Sequence, residues 1–223
     1  MINQLNKILF KLFGLRLISS QCGEDFIIES IIPSKKRGLY VDIGANHPIK
    51  YSNTFLFRQK GWRGINIEPN PHRIKSFRFW RRGDVNLNIG VADKEAELDF
   101  FVFKEHTLST FDVESANEFQ KIGHRVKEVI KVPVLPLCKI FEKYLNGRQV
   151  DLLSIDTEGY DMEILQSNDW TRFQPTFIIV ETLEYRKEGE GKKLNVSFDP
   201  FFASIGYKKI ADTNINTIYE KIS

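Results

Sequence analysis

Apolar residues run almost unbroken through six short stretches of the chain: 38–44 (GLYVDIG), 64–68 (GINIE), 86–93 (NLNIGVAD), 98–103 (LDFFVF), 150–156 (VDLLSID) and 176–181 (TFIIVE). Between several of them the apolar period lengthens to that of a helix, at 53–60, 71–82, 138–146 and 160–168. Strands apolar on both faces and separated by helices predict a parallel sheet covered on both sides. The pattern changes near the end, where 206–212 and 215–222 flank a short turn containing asparagine and predict an antiparallel strand pair that closes the sheet. The aromatic-rich 198–207 has the spacing of a core helix, and the polar 184–193 reads as a loop after a strand end. The expectation is one α/β domain over 19–223, preceded by a separate segment, 1–18.

In that segment Ile2, Leu5, Ile8, Leu9, Leu12 and Phe13 recur at helical spacing, with Lys7, Lys11 and Arg16 among them. The helix is amphipathic and basic. Lysine interrupts its apolar stretch and no small-residue cleavage site follows, unlike a signal peptide. Packing against the domain or a second subunit is the expected role, in preference to docking on an anionic membrane surface.

Composition narrows the partners. The net charge of +3 is too small to argue for nucleic acid. The basic and aromatic stretch 71–83 agrees: Ile74, Phe77 and Trp80 fit one buried helix face, which leaves Arg73, Lys75, Arg78, Arg81 and Arg82 solvated. Two distant cysteines, Cys22 and Cys138, give neither a disulfide framework nor a zinc site and suit a reducing, cytoplasmic setting.

Ligands of such sheets bind outside the carboxyl ends of the strands. Here those ends are acidic: Asp42, Glu68, Asp93, Asp156 and Glu181. A dinucleotide site sets a glycine-rich turn against a pyrophosphate, whereas the turn "DIGANHP" holds one glycine and is preceded by an aspartate. Asp42 suits an amine and hydroxyls, and Gly44 lets the main chain approach closely. Glu68 is placed to accept from both hydroxyls of a ribose. The ligand is read as a nucleoside with a cationic amino-acid tail, a description met by S-adenosylmethionine.

Taken together, "SQCGED" (20–25), "VDIGANHPIKYSNT" (41–54), "GWRGINIEPNP" (61–71), "LNIGVAD" (87–93) and "LLSIDTEGYDMEIL" (152–165) resemble the FkbM-type methyltransferases in order and spacing. The resemblance implies a Rossmann-like class I methyltransferase fold, S-adenosylmethionine as donor, and O-methylation of a sugar, sugar nucleotide or related glycan precursor. It assigns the methionine portion of the cofactor to Asp42, Gly44 and Asn46, the ribose to Glu68, the adenine side to Pro69 and Asn70, and the adenine amine to Asp93. His47 and Pro48 stand where the family often has glycine.

Chemistry is expected at "IDTEGYD". A sugar hydroxyl is a poor nucleophile until its proton begins to leave, and a positioned carboxylate or imidazole contributes about 10²–10⁴-fold. The candidate bases are Asp156, Glu158, Glu24 and His106. Asp161 reads as a residue of a helix first turn. Some methyltransferases of this broad fold hold a divalent ion between the fourth and fifth strand ends, which would place magnesium or manganese on Asp156 and Glu181. Two other readings stand beside this one: a nicotinamide-dependent oxidoreductase, which needs the missing glycine-rich turn, and a non-catalytic nucleoside-binding module.

Overall fold

The structure, a computed structural model, describes residues 2–15, 17–32, 37–157, 159–182 and 198–222. Glu158 and the expected loop at 184–193 lie outside them. In chain order, α1 (Ile2–Phe13) and α2 (Glu24–Ile31) precede β1 (Leu39–Ile43), α3 (Phe55–Gln59), β2 (Arg63–Ile67), α4 (Pro71–Trp80) and β3 (Val85–Leu87). There follow β4 (Gly90–Val91), β5 (Ala96–Phe103), a 3₁₀ turn at His106–Leu108, α5 (Val113–Lys121) and β6 (Val126–Leu135). The rest comprises α6 (Leu137–Tyr144), β7 (Leu152–Ile155), α7 (Asp161–Gln166), β8 (Phe177–Glu181), α8 (Asp199–Ser204), β9 (Tyr207–Asp212) and β10 (Asn216–Lys221).

Seven strands form the main sheet, in the order β3-β2-β1-β7-β8-β10-β9. The first five are parallel, and β10 enters antiparallel to both β8 and β9, so the expected terminal pair is present. The chain reverses its order of strands between β1 and β7, and the crevice of the fold opens there. Val41, Ile43, Ile65, Ile67, Leu153, Ile155, Ile178 and Val180 pack on one face with α6, α7 and α8. Tyr40, Leu152 and Ile179 pack on the other with Ile28, Phe57 and Trp62. The helix expected at 198–207 is α8, whose Phe202 stacks on Tyr219 at 3.9 Å between centroids.

Several expectations need correction. The stretch 86–93 divides: β3 joins the main sheet, and β4 joins a second sheet of order β4-β6-β5. The strand at 98–103 lies in that small sheet, antiparallel to β6. Its partner β6 is an additional strand, in which Val126, Glu128, Ile130, Val132 and Val134 alternate with outward residues in the period of a half-buried strand.

Helix α4 buries a different stripe from the expected one. Ile74 and Phe77 are buried, but the row continues four residues on to Arg81, which is fully buried, and not three on to Trp80, which is exposed. Arg81 tolerates burial because four hydrogen bonds hold its guanidinium. Nε donates to the Pro48 carbonyl (2.8 Å), Nη1 to the Tyr40 hydroxyl (2.7 Å), and Nη2 to Ser52 Oγ (2.8 Å) and Thr54 Oγ1 (3.2 Å). Of the α1 side chains that are described, none enters a buried cluster, and Ile8, Phe10, Leu12 and Phe13 are exposed.

Candidate active site

The register of the parallel strands places Asn86, Asn66, Asp42 and Ser154 side by side across four of them. They form a polar row at the carboxyl ends of otherwise apolar strands. Thr54 Oγ1 donates to Asp42 Oδ2 at 2.5 Å, Asn66 Nδ2 to Asn86 Oδ1 at 2.8 Å, and Asn53 Nδ2 to Ser154 Oγ at 3.1 Å. Burial pushes the Asp42 carboxyl up, against the Arg81 charge and the Thr54 hydroxyl, which favour its ionised form. Arg81 is therefore the counter-charge beneath the strand ends, a role the sequence did not reveal because its partners come from three separate segments.

Above this row opens a cavity of about 290 Å³, lined on one side by Asp42, Gly44, Asn46, Glu68, Pro69 and Asn70 and on the other by Ser154, Asp156 and Glu181. Its size is near the lower end for small-molecule sites. Gly44 has φ +74°, and a β-carbon there would lie 1.8 Å from the Asp156 carbonyl oxygen. The glycine thus serves the approach of one strand end to another. Asn46 takes the left-handed conformation at φ 46°. Its amide donates to Glu68 Oε2 at 2.7 Å, while the Asn70 amide donates to Oε1 at 2.8 Å. Both oxygens of Glu68 are tied to main chain, each with a lone pair left for a ligand. Burial pushes the Glu68 carboxyl up to about 7, despite those amides and the nearby Arg73 charge.

The departure at His47-Pro48 has a local explanation. His47 Nδ1 accepts from the amides of Ile49 (3.1 Å) and Lys50 (3.0 Å), so the imidazole closes the turn that glycine would otherwise make. This bonding needs the neutral ring with its proton on Nε2. Partial burial, with the charges of Arg73, Lys50 and Arg81, lowers its pKa accordingly.

Asp156 and Glu181, at the ends of adjacent parallel β7 and β8, are hydrogen-bonded to each other. Burial raises the Asp156 carboxyl well above the usual aspartate range, Asp42 and Glu24 raise it further, and Glu181 opposes them. Asp161, buried at the start of α7, accepts from the Thr157 amide at 3.3 Å; burial and then the Asp156 charge push it up too.

The remaining candidates are more dispersed. Glu24 is fully buried and accepts from Asn216 Nδ2 (2.8 Å), Thr213 Oγ1 (2.7 Å) and the Cys22 amide (2.9 Å). Burial alone would raise it, but these bonds hold it below the ordinary range, and it does not line the cavity. It fastens α2 to the β9–β10 turn. His106 does line the cavity, from the 3₁₀ turn; partial burial and the charges of Arg73, Lys127 and His72 lower its pKa. Asp93 is exposed and stands outside the lining. Arg73, expected in solvent, instead lines the cavity, with a buried Nε that has no hydrogen-bond partner.

The metal expectation is not supported. Among the described residues no group of three or more His, Cys, Asp or Glu is arranged to hold an ion.

A central sheet with this strand order, helices on both faces, an acid buried at the end of β2 and a single-glycine turn after β1 together define the class I methyltransferase fold. The chain belongs to the FkbM methyltransferase family: the "Methyltransferase FkbM domain" matches residues 42–209. It is an S-adenosylmethionine-dependent methyltransferase, and the oxidoreductase and non-catalytic readings are set aside. Two solved structures are similar: a putative O-methyltransferase from Klebsiella pneumoniae (12% identity, TM-score 0.42, 100% of this chain and 90% of that one) and the O-methyltransferase from Bacillus cereus in complex with SAH (12%, 0.42, 100% and 100%). No curated protein matches the chain.

Proposed function

We propose that the protein methylates a hydroxyl oxygen of a sugar, sugar nucleotide or related glycan precursor, with Asp156 as the base. The observation that carries this reading is Asp156 in the cavity wall beside Glu181, its carboxyl raised by burial into a range that suits proton transfer near neutral pH.

The residues present fit the cofactor. Glu68 would accept from ribose hydroxyls with its remaining lone pairs, the Asp42–Asn46 turn would face the methionine end, and Pro69 and Asn70 would border the base with Val91, Phe100 and Phe111. When bound, S-adenosylmethionine supplies a methyl carbon made electrophilic by its sulfonium. The chain's own part is to position the acceptor and take its proton. Asp156 accepts the hydroxyl proton, and Glu181 holds the Asp156 carboxyl in orientation. The unpartnered Nε of Arg73, in the cavity wall, supports an acceptor or product with an anionic group, as a sugar nucleotide has.

The test is Asp156→Asn, assayed for turnover on a panel of sugars and sugar nucleotides and, separately, for S-adenosylhomocysteine binding. Turnover is expected to fall by about 10²–10⁴-fold with binding retained. Unchanged turnover would assign the base elsewhere.

A further inference from the structure

The first 23 residues contain three cations, Lys7, Lys11 and Arg16, and no aspartate or glutamate, although the whole chain is nearly balanced at 32 basic against 29 acidic residues. The same segment carries a concentration of exposed apolar surface. Ile8, Phe10, Leu12 and Phe13 on α1, and Leu15, Leu17 and Ile18 just after it, are each 46–67% exposed. Isolated exposed apolar residues are ordinary, but seven within eleven positions are a concentration that water does not favour. The segment is folded, not frayed: Asn6 Nδ2 donates to the Leu17 carbonyl at 3.0 Å, and the Leu17 amide donates to Asn6 Oδ1 at 2.7 Å. This clamp brings Leu17 back beside Asn6 on α1.

From this we infer that residues 2–18 are an interfacial anchor that docks on an anionic lipid surface. The apolar side chains would enter the boundary between headgroups and acyl chains, and the three cations would meet lipid phosphates. Charge complementarity favours this occupant over a second copy of the chain, because two apposed copies would bring six cations together with no acid among them. Docking would also fix where the active site lies. Ser19 follows the anchor directly; its carbonyl accepts from the Ser52 amide at 2.9 Å, and Ser52 and Gln21 both line the cavity. The anchor therefore joins the domain beside the cavity rim, and the bound enzyme would hold that rim near the membrane. The inference does not depend on the identity of the acceptor.

The experiment is vesicle co-sedimentation of the full chain, using phosphatidylcholine vesicles with and without about 30% phosphatidylglycerol. Binding is expected to the anionic vesicles only and to weaken as salt rises. The pair Lys7→Glu and Lys11→Glu should cost roughly tenfold or more in partition, and so should Leu12→Ser with Phe13→Ser. S-adenosylhomocysteine affinity and the melting temperature should not change in any of them. Absence of binding, or equal binding to neutral vesicles, would overturn the inference. So would a dimer, seen by light scattering, that the Leu12→Ser, Phe13→Ser variant dissociates.

Discussion

The carbonyl oxygen of Asp156 lies 1.8 Å from where a β-carbon on residue 44 would have to sit. The turn after β1 and the end of β7 meet here, cofactor side against acceptor side. Gly44→Ala must both adopt φ +74° and displace the Asp156 main chain. We expect a loss of about 3 kcal/mol or more in chemical denaturation, together with weakened S-adenosylhomocysteine binding. A variant of native stability would show that the two strand ends can separate freely.

Arg81 gives a second prediction. Arg81→Met leaves the Pro48 carbonyl and the Tyr40 and Ser52 hydroxyls without their donor and deprives Asp42 of its buried counter-charge. Loss of one member of a buried charged network typically costs about 3–5 kcal/mol. Arg82→Met, on the exposed neighbour, should stay within about 0.5 kcal/mol of the parent. Equal effects in a urea titration would contradict the assignment of Arg81 as the supporting cation.

Glu68 makes cofactor affinity depend on pH. Its carboxyl, pushed up to about 7, is largely protonated in the free protein at pH 6, whereas ribose hydroxyls donate best to the ionised form. Binding therefore releases a proton below pH 7, and affinity for S-adenosylhomocysteine should fall as the pH drops through that value. Calorimetry in buffers of different ionisation heat measures the proton directly. Proton uptake, or none, would contradict the ribose assignment.

The same burial has a consequence for stability. Glu68, Asp156 and Asp161 all titrate higher in the fold than in an unfolded chain, so the native state holds more protons between about pH 4 and pH 7. These three groups lower the stability of the ligand-free protein as the pH rises through that window. Replacing Glu68 with Gln should flatten that part of the stability curve.

A last prediction concerns metal. Turnover should persist after exhaustive chelation, because among the described residues no group of three or more acids, imidazoles or thiols is arranged to hold an ion. Activity lost in chelator and restored by magnesium or manganese would reinstate an ion at this pair.

The sequence by itself determined the layered fold, because buried parallel strands need apolar residues on both faces and their connecting helices need an apolar stripe. It also fixed which acids end β1, β2, β7 and β8, since a strand end is a local feature. It did not determine which side chains of α4 enter the protein: spacing allows 80 or 81 after 77, and only the acceptors from Tyr40, Pro48 and Ser52 make Arg81 the buried choice. Nor did it give the division of 86–93 between two sheets, which depends on β6, a pairing partner about forty residues away. The carboxyl of Glu24 looked like a base in "SQCGED", yet Thr213 and Asn216 claim it from the far end of the chain. Local patterns record what each segment must bury. Which polar groups satisfy one another across the fold is a long-range matter, and only the tertiary structure decided it.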